Sequence, residues 1–204
     1  MFHVFLHDFQ ESPAFWDPVL EVMQDKTRSS IPSLYSWLDP EHAHYKDILQ
    51  GLLLQCASYA EPFDLCGQGY GALLALDLAA QDPDRIRNLV LIEPSIPMSK
   101  RFQKVQQTLA HLVPSKVFDQ MPISKKMYLD LMASLQDFEH RMDAISAPTW
   151  ILLGENDKIH QQAAQWIQES IKTSEIRYIP DAIHDVVRQN SEAVGKFLKE
   201  IYQI

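Results

Sequence analysis

The sequence has no run of about 18 apolar residues, so it offers no membrane-spanning helix. Basic residues are in the minority: 18 Lys and Arg stand against 27 Asp and Glu, a formal net charge of −9. A nucleic-acid surface needs a basic face to neutralise phosphates, and docking on an anionic membrane needs the same. Neither partner is expected, and the acidity reads as a source of solubility. Cysteine is nearly absent. Cys56 and Cys66 form no C-x-x-C pair and join no metal-type cluster; both sit in apolar stretches as small hydrophobes. Met1-Phe2-His3-Val4-Phe5-Leu6 lacks the basic start of a signal peptide, so a cytoplasmic location is expected. There is no internal repeat and no low-complexity tract.

What remains has the balance of an ordinary globular domain, with 46% hydrophobic and 22% charged residues in 204. That length suits one domain, 1–204, with a sizeable core. Short apolar runs alternate with longer amphipathic ones. Strands are expected at Phe2 to Leu6, Ile31 to Leu38, Phe63 to Cys66, Asn88 to Ile92, Trp150 to Leu153 and Ile176 to Ile179. Pro32 makes the second of these ragged. Helices are expected at Ala14 to Gln24, His44 to Ser58, Tyr70 to Gln81, His160 to Ile171 and Ser191 to Ile201, from apolar residues at helical spacing. The section from about 95 to 142 breaks the rhythm, with helical segments interrupted by Pro114 and Pro122. Alternation of this kind predicts an α/β fold: a mainly parallel sheet of about six strands flanked by helices. The loops after the strands then share one edge, where open α/β sheets place their chemistry.

The sharpest pattern follows the third strand: Asp64-Leu65-Cys66-Gly67-Gln68-Gly69-Tyr70-Gly71-Ala72-Leu73. A strand, a glycine turn and an apolar helix are the setting of the nucleophile elbow, G-x-S-x-G. The chain resembles the α/β-hydrolase superfamily, in particular its short esterase- and thioesterase-like members. Gly67 and Gly71 match the two glycines of the motif, and Gly69 stands where the serine would be. The central residue of an elbow has a strained backbone that ordinarily costs about 1–3 kcal/mol. Glycine relieves that strain and removes the nucleophile.

The resemblance extends over residues 2 to 201 and implies further roles. After the first strand, His7-Asp8-Phe9 replaces the usual His-Gly-apolar run. The N–H groups of Phe9 and Tyr70 then correspond to the oxyanion hole. Asp8 brings a side chain, and a possible charge, to the place where an oxyanion would form; His7 reads equally well as a structural histidine. Asp157, in Gly154-Glu155-Asn156-Asp157, matches the acid of the triad. His184, in Pro180-Asp181-Ala182-Ile183-His184, matches its base, with Ile183 replacing a common glycine. Positions 69, 157 and 184 keep the family order of nucleophile, acid, histidine. Cys66, Ser95 and Tyr70 lie near the turn as substitute nucleophiles but have no motif behind them; Glu93 is an alternative acid. Asp39-Pro40-Glu41-His42-Ala43-His44 replaces a glycine-rich loop. Section 95–142 corresponds to a helical cap, whose Met98, Phe102, Phe118, Met121, Met127, Tyr128 and Met132 either line a cavity or pack onto the sheet.

The resemblance implies an ancestral ester or thioester hydrolase. The departures at Gly69 and Asp8 lead to the expectation of a degenerate triad. The chain would bind a small acyl or ester-like ligand without turnover, or with weak turnover. The alternative is an active hydrolase or lyase in which the His184–Asp157 dyad activates water. No metal and no organic cofactor is implied, and the sequence points to no particular protein partner.

Overall fold

The computed structural model describes residues 2–96, 108, 111–135 and 141–204. The chain opens with strand β1 (His3–Leu6), a 3-10 turn (Pro13–Trp16) and helix α1 (Asp17–Met23). Strand β2 (Ser29–Ser30) and helix α2 (Tyr45–Ala57) lead to strand β3 (Phe63–Gln68), helix α3 (Tyr70–Gln81) and strand β4 (Ile86–Ile92). Helices α4 (Ser115–Phe118) and α5 (Lys125–Ser134) come next. Strand β5 (Thr149–Gly154), helix α6 (Gln161–Ser170), strand β6 (Ser174–Ile179) and helices α7 (Val186–Gln189) and α8 (Ser191–Tyr202) complete it. Part of section 95–142, including Met98 and Phe102, lies outside the described residues.

Among the described residues the six strands form one parallel sheet in the order β2-β1-β3-β4-β5-β6. Its core strands are apolar at nearly every position because both faces are covered. The pleat sorts them by period two. Val4, Leu6, Leu65, Leu89, Leu91, Ile151 and Leu153 face the layer that holds α2, α3 and α6. Phe5, Cys66, Val90, Ile92 and Leu152 face the layer that holds α1 and α8. Cys66 is therefore a core residue, and burial raises the thiol pKa of both cysteines, so neither presents a thiolate.

The second strand is a correction to the sequence reading. Only Ser29 and Ser30 pair with β1, and the expected strand at 31–38 contains a 3-10 turn instead, Leu34–Trp37. Pro32 has no N–H to give a ladder. The turn sends Leu34 into the core, and the Leu34 N–H approaches His7 Nε2 at 3.4 Å.

A buried polar network ties the strand starts together. His3 Nδ1 lies 2.8 Å from Asp64 Oδ2 and its Nε2 lies 3.0 Å from Asp25 Oδ2. Arg87 and Asn88 donate to Asp64, Arg28 donates to Asp25, and Tyr202 stacks on the His3 ring at 4.7 Å. Burial opposes ionisation of Asp64, but the hydrogen bonds from His3, Arg87 and Asn88 outweigh it and hold its pKa below the usual carboxylate value. A depressed carboxylate contributes stability that is present above its unfolded pKa and lost as pH falls through the folded one. Asp64→Asn should cost about 3 kcal/mol at pH 7 in urea unfolding, because it strands buried donors. The deficit should shrink below pH 4; an equal deficit at both pH values would contradict the ionised network.

Candidate functional site

The strand ends opposite this network carry Asp8, Phe9, Gly69, Tyr70, Glu93, Asp157 and His184. At the end of β3, Gly69 has φ +59° and ψ −119°, a conformation that side chains rarely adopt. Its N–H donates to the Ile92 carbonyl at 3.0 Å, and its own carbonyl accepts from the Ser95 N–H at 3.2 Å. The flanking glycines are forced by contact. A Cβ on Gly67 would overlap the Gly71 backbone, and one on Gly71 would overlap the Leu6 carbonyl. The strand-turn-helix elbow is thus wedged against the end of β1.

That wedge brings Asp8 to the elbow. A Cβ built on Gly69 would overlap Asp8 Oδ2 and lie 2.8 Å from its Cγ. The carboxylate stands in the space of the missing side chain. Asp8 Oδ2 accepts from the Tyr70 N–H at 3.3 Å. One of the two amides expected to face an oxyanion, that of Tyr70, is therefore taken by Asp8. Burial raises the Asp8 pKa to about 6; the Tyr70, Gln10 and Phe9 amides oppose the rise and Glu11 adds to it. Asp8 Oδ1 is buried with no hydrogen-bond partner among the described residues.

The loop that carries Asp8 is held rigidly. His7 Nδ1 donates to the Asp8 carbonyl at 2.7 Å, and burial lowers the His7 pKa, so the ring is a neutral latch. The Tyr35 hydroxyl lies against the Asp8, Phe9 and Glu11 carbonyls, at 2.7 Å from that of Phe9. The Phe9 and Tyr70 rings stack at 5.0 Å.

At the acid the structure shows a pairing that the sequence reading did not name. Asp157, at the end of β5, is fully buried, and among the described residues its hydrogen bonds go to Ile159 and His160, with none to His184. Its Oδ2 meets His160 Nδ1 at 2.7 Å, and its Oδ1 accepts from the Ile159 and His160 N–H groups at 2.7 and 3.1 Å. The reason is local. A histidine three residues on, at the entry to α6, reaches the carboxylate without closing a long loop, whereas His184 comes from the next strand end. His184 is exposed beside Asp185, and Ile183 next to it is 56% exposed. The signal for this pairing was legible as Asp-x-x-His at the start of a helix, and the sequence reading passed over it.

Glu93 follows β4, 1% exposed, with φ +47°. It accepts from the Val186 N–H at 3.2 Å. Burial chiefly, with help from Asp157 and Asp185, raises its pKa to about 7. Glu93, Asp157 and His160 each offer a donor atom within 4.8 Å of the others. Such a set can share a proton or a cation, but Asp157 is already satisfied by three internal hydrogen bonds. An open groove of about 490 Å³ lies elsewhere, between the 41–44 loop and α5.

Solved structures share this fold over nearly the whole chain. A thermophilic esterase from Thermogutta terrifontis superposes with a TM-score of 0.83 at 19% identity, covering 100% of this chain and 90% of that one. The chain has the α/β-hydrolase fold. MenH from S. aureus shares the fold with a TM-score of 0.79 at 17% identity, over 100% of this chain and 93% of that one. A thioesterase domain from the curacin biosynthetic pathway gives 0.67 at 16% identity, over 97% and 90%. No protein-family model matches the sequence, and no curated protein is similar to it. Among the described residues, no helix of this α/β-hydrolase fold is long and apolar enough to cross a membrane.

The raised pKa of Asp8 has a definite sign. Between its unfolded value near 4 and about 6, the folded state holds the proton more tightly. Asp8 therefore weakens folding as pH rises through that window. Asp8→Asn should stabilise the protein by on the order of 2 kcal/mol at pH 8 and leave it unchanged near pH 4. Urea unfolding at both pH values measures this; equal midpoints for the two proteins at pH 8 would show that the carboxylate is not held as described.

Proposed function

We propose that this chain is an esterase- or thioesterase-like α/β-hydrolase that has given up the elbow mechanism and binds a small molecule at the strand ends without covalent turnover. The observation that carries this reading is the Asp8 carboxylate lodged in the side-chain space of Gly69. Acyl transfer at an elbow needs a nucleophile, an oriented imidazole and free donors for the oxyanion. Loss of the nucleophile alone costs of the order of a million-fold where it has been measured. Here the Tyr70 donor is also occupied, and by a carboxylate. A tetrahedral oxyanion would be repelled from the amides that should stabilise it, and loss of one such donor already costs about 3 kcal/mol. The acid in the family position holds His160, which leaves His184 without the partner that would orient it.

The wild-type chain should give no turnover of p-nitrophenyl butyrate or short acyl thioesters and no labelling by serine-directed phosphonates. Turnover that disappears in Asp8→Asn or His184→Ala would overthrow the non-catalytic reading.

The same geometry predicts how a restored serine behaves. Gly69→Ser alone should lose about 2–4 kcal/mol of stability, from the left-handed backbone and the overlap with Asp8. Adding Asp8→Gly should recover part of it, so the two substitutions are non-additive in a double-mutant cycle of thermal unfolding. Additive losses would mean that Asp8 moves aside freely.

A further inference from the structure

We infer that the polarity of the elbow site is inverted: its ligand presents a cationic nitrogen, such as an alkylammonium group, to Asp8 Oδ1. The inference rests on the non-catalytic reading and names the ligand class for that same site. An oxyanion hole is a pair of donors waiting for an acceptor. Here the Tyr70 amide already donates to the Asp8 carboxylate, which fills the side-chain space of Gly69. What the site still has to offer is an acceptor. Asp8 Oδ1 is buried and has no partner among the described residues, which is costly for a carboxylate oxygen unless something donates to it.

The surroundings favour positive charge over a neutral donor. Glu11 faces Asp8 from its own loop. Around it, Tyr35, Tyr70 on α3 and Tyr128 on α5 bring no charge of their own. Glu93 and Asp185 occupy neighbouring strand ends. The nearby cation, Arg188, is already held by Glu11 and by Asp185, the latter at 3.2 Å. A carbonyl or carboxylate ligand would meet acceptor against acceptor, whereas an ammonium supplies up to three donors and the missing charge.

The test uses the full chain, labelled with ¹⁵N, titrated with n-butylammonium, butanamide and butanoate. The expected result is saturable shifts of the Phe9, Gln10 and Tyr70 amides with n-butylammonium. Asp8→Asn should weaken that binding at least roughly tenfold, and Glu11→Gln should weaken it less. Asp8→Ala provides the same comparison if the asparagine variant does not fold. Equal binding of butanamide, binding of butanoate, unchanged affinity in the Asp8 variants, or no saturable shift at those amides would each overturn the inference. Ester turnover, assayed on the same samples, keeps the two readings apart. Turnover that depends on Asp8 would sink the non-catalytic reading, whereas absent ammonium binding without turnover sinks only the inference drawn here.

Discussion

Three pieces of chain meet where β1 and β3 end, and their contact decides what this fold can do. Gly71 lies so close to the Leu6 carbonyl that no side chain fits between them, and Gly67 lies as close to Gly71. The loop after β1 is therefore pressed against the turn before α3, whatever its sequence. In a chain with glycine at position 8 that closeness would leave amides facing an open hole. With Asp8 there, the carboxylate lies on the Tyr70 amide, in space that a side chain at residue 69 would need. Asp8 and Gly69 are one structural unit: each makes the other's unusual state possible.

The electrostatics of the neighbouring strand ends follow from the same placement. Parallel strands deliver their following loops to one edge, so acids that are far apart in sequence become neighbours. Asp8, Glu93 and Asp185 are each raised in pKa, chiefly by burial and further by other acids nearby. A hydrolase site of this shape would need its single acid to sustain an imidazolium. This edge spreads its acids over four loops and gives the buried one, Asp157, a histidine from its own loop. The result is a site with excess acceptor capacity, which suits binding a donor better than stabilising an anion.

Much of the architecture was legible in the sequence, and the exceptions have physical causes. The span Tyr70–Gln81 of α3 matches its apolar periodicity to the residue, because packing and propensity agree there. The central strands were found from their apolar runs because both of their faces are buried. The expected second strand failed because hydrophobicity at 31–38 served a different end: Leu34 is buried by a turn, not by a ladder. At the site, the glycine spacing revealed the elbow, and Asp8 stood out as a departure. What the motif could not reveal was competition. A motif places Asp157 and His184 at the right strand ends but does not say which histidine reaches the acid first. His160, three residues away, wins on proximity.

That competition is one of the observations behind the non-catalytic reading proposed above. A lost serine could in principle be replaced by water if the rest of the machinery stayed in register. Here the departures lie side by side. Glycine at 69 opens the space, Asp8 fills it and takes the Tyr70 amide, and Asp157 bonds to His160. Under the reading proposed above, these departures together favour a ligand that donates to a buried carboxylate oxygen. The fold is kept because its stability comes from the sheet, the helix layers and the Asp64 network at the far edge, none of which depends on the chemistry at the elbow.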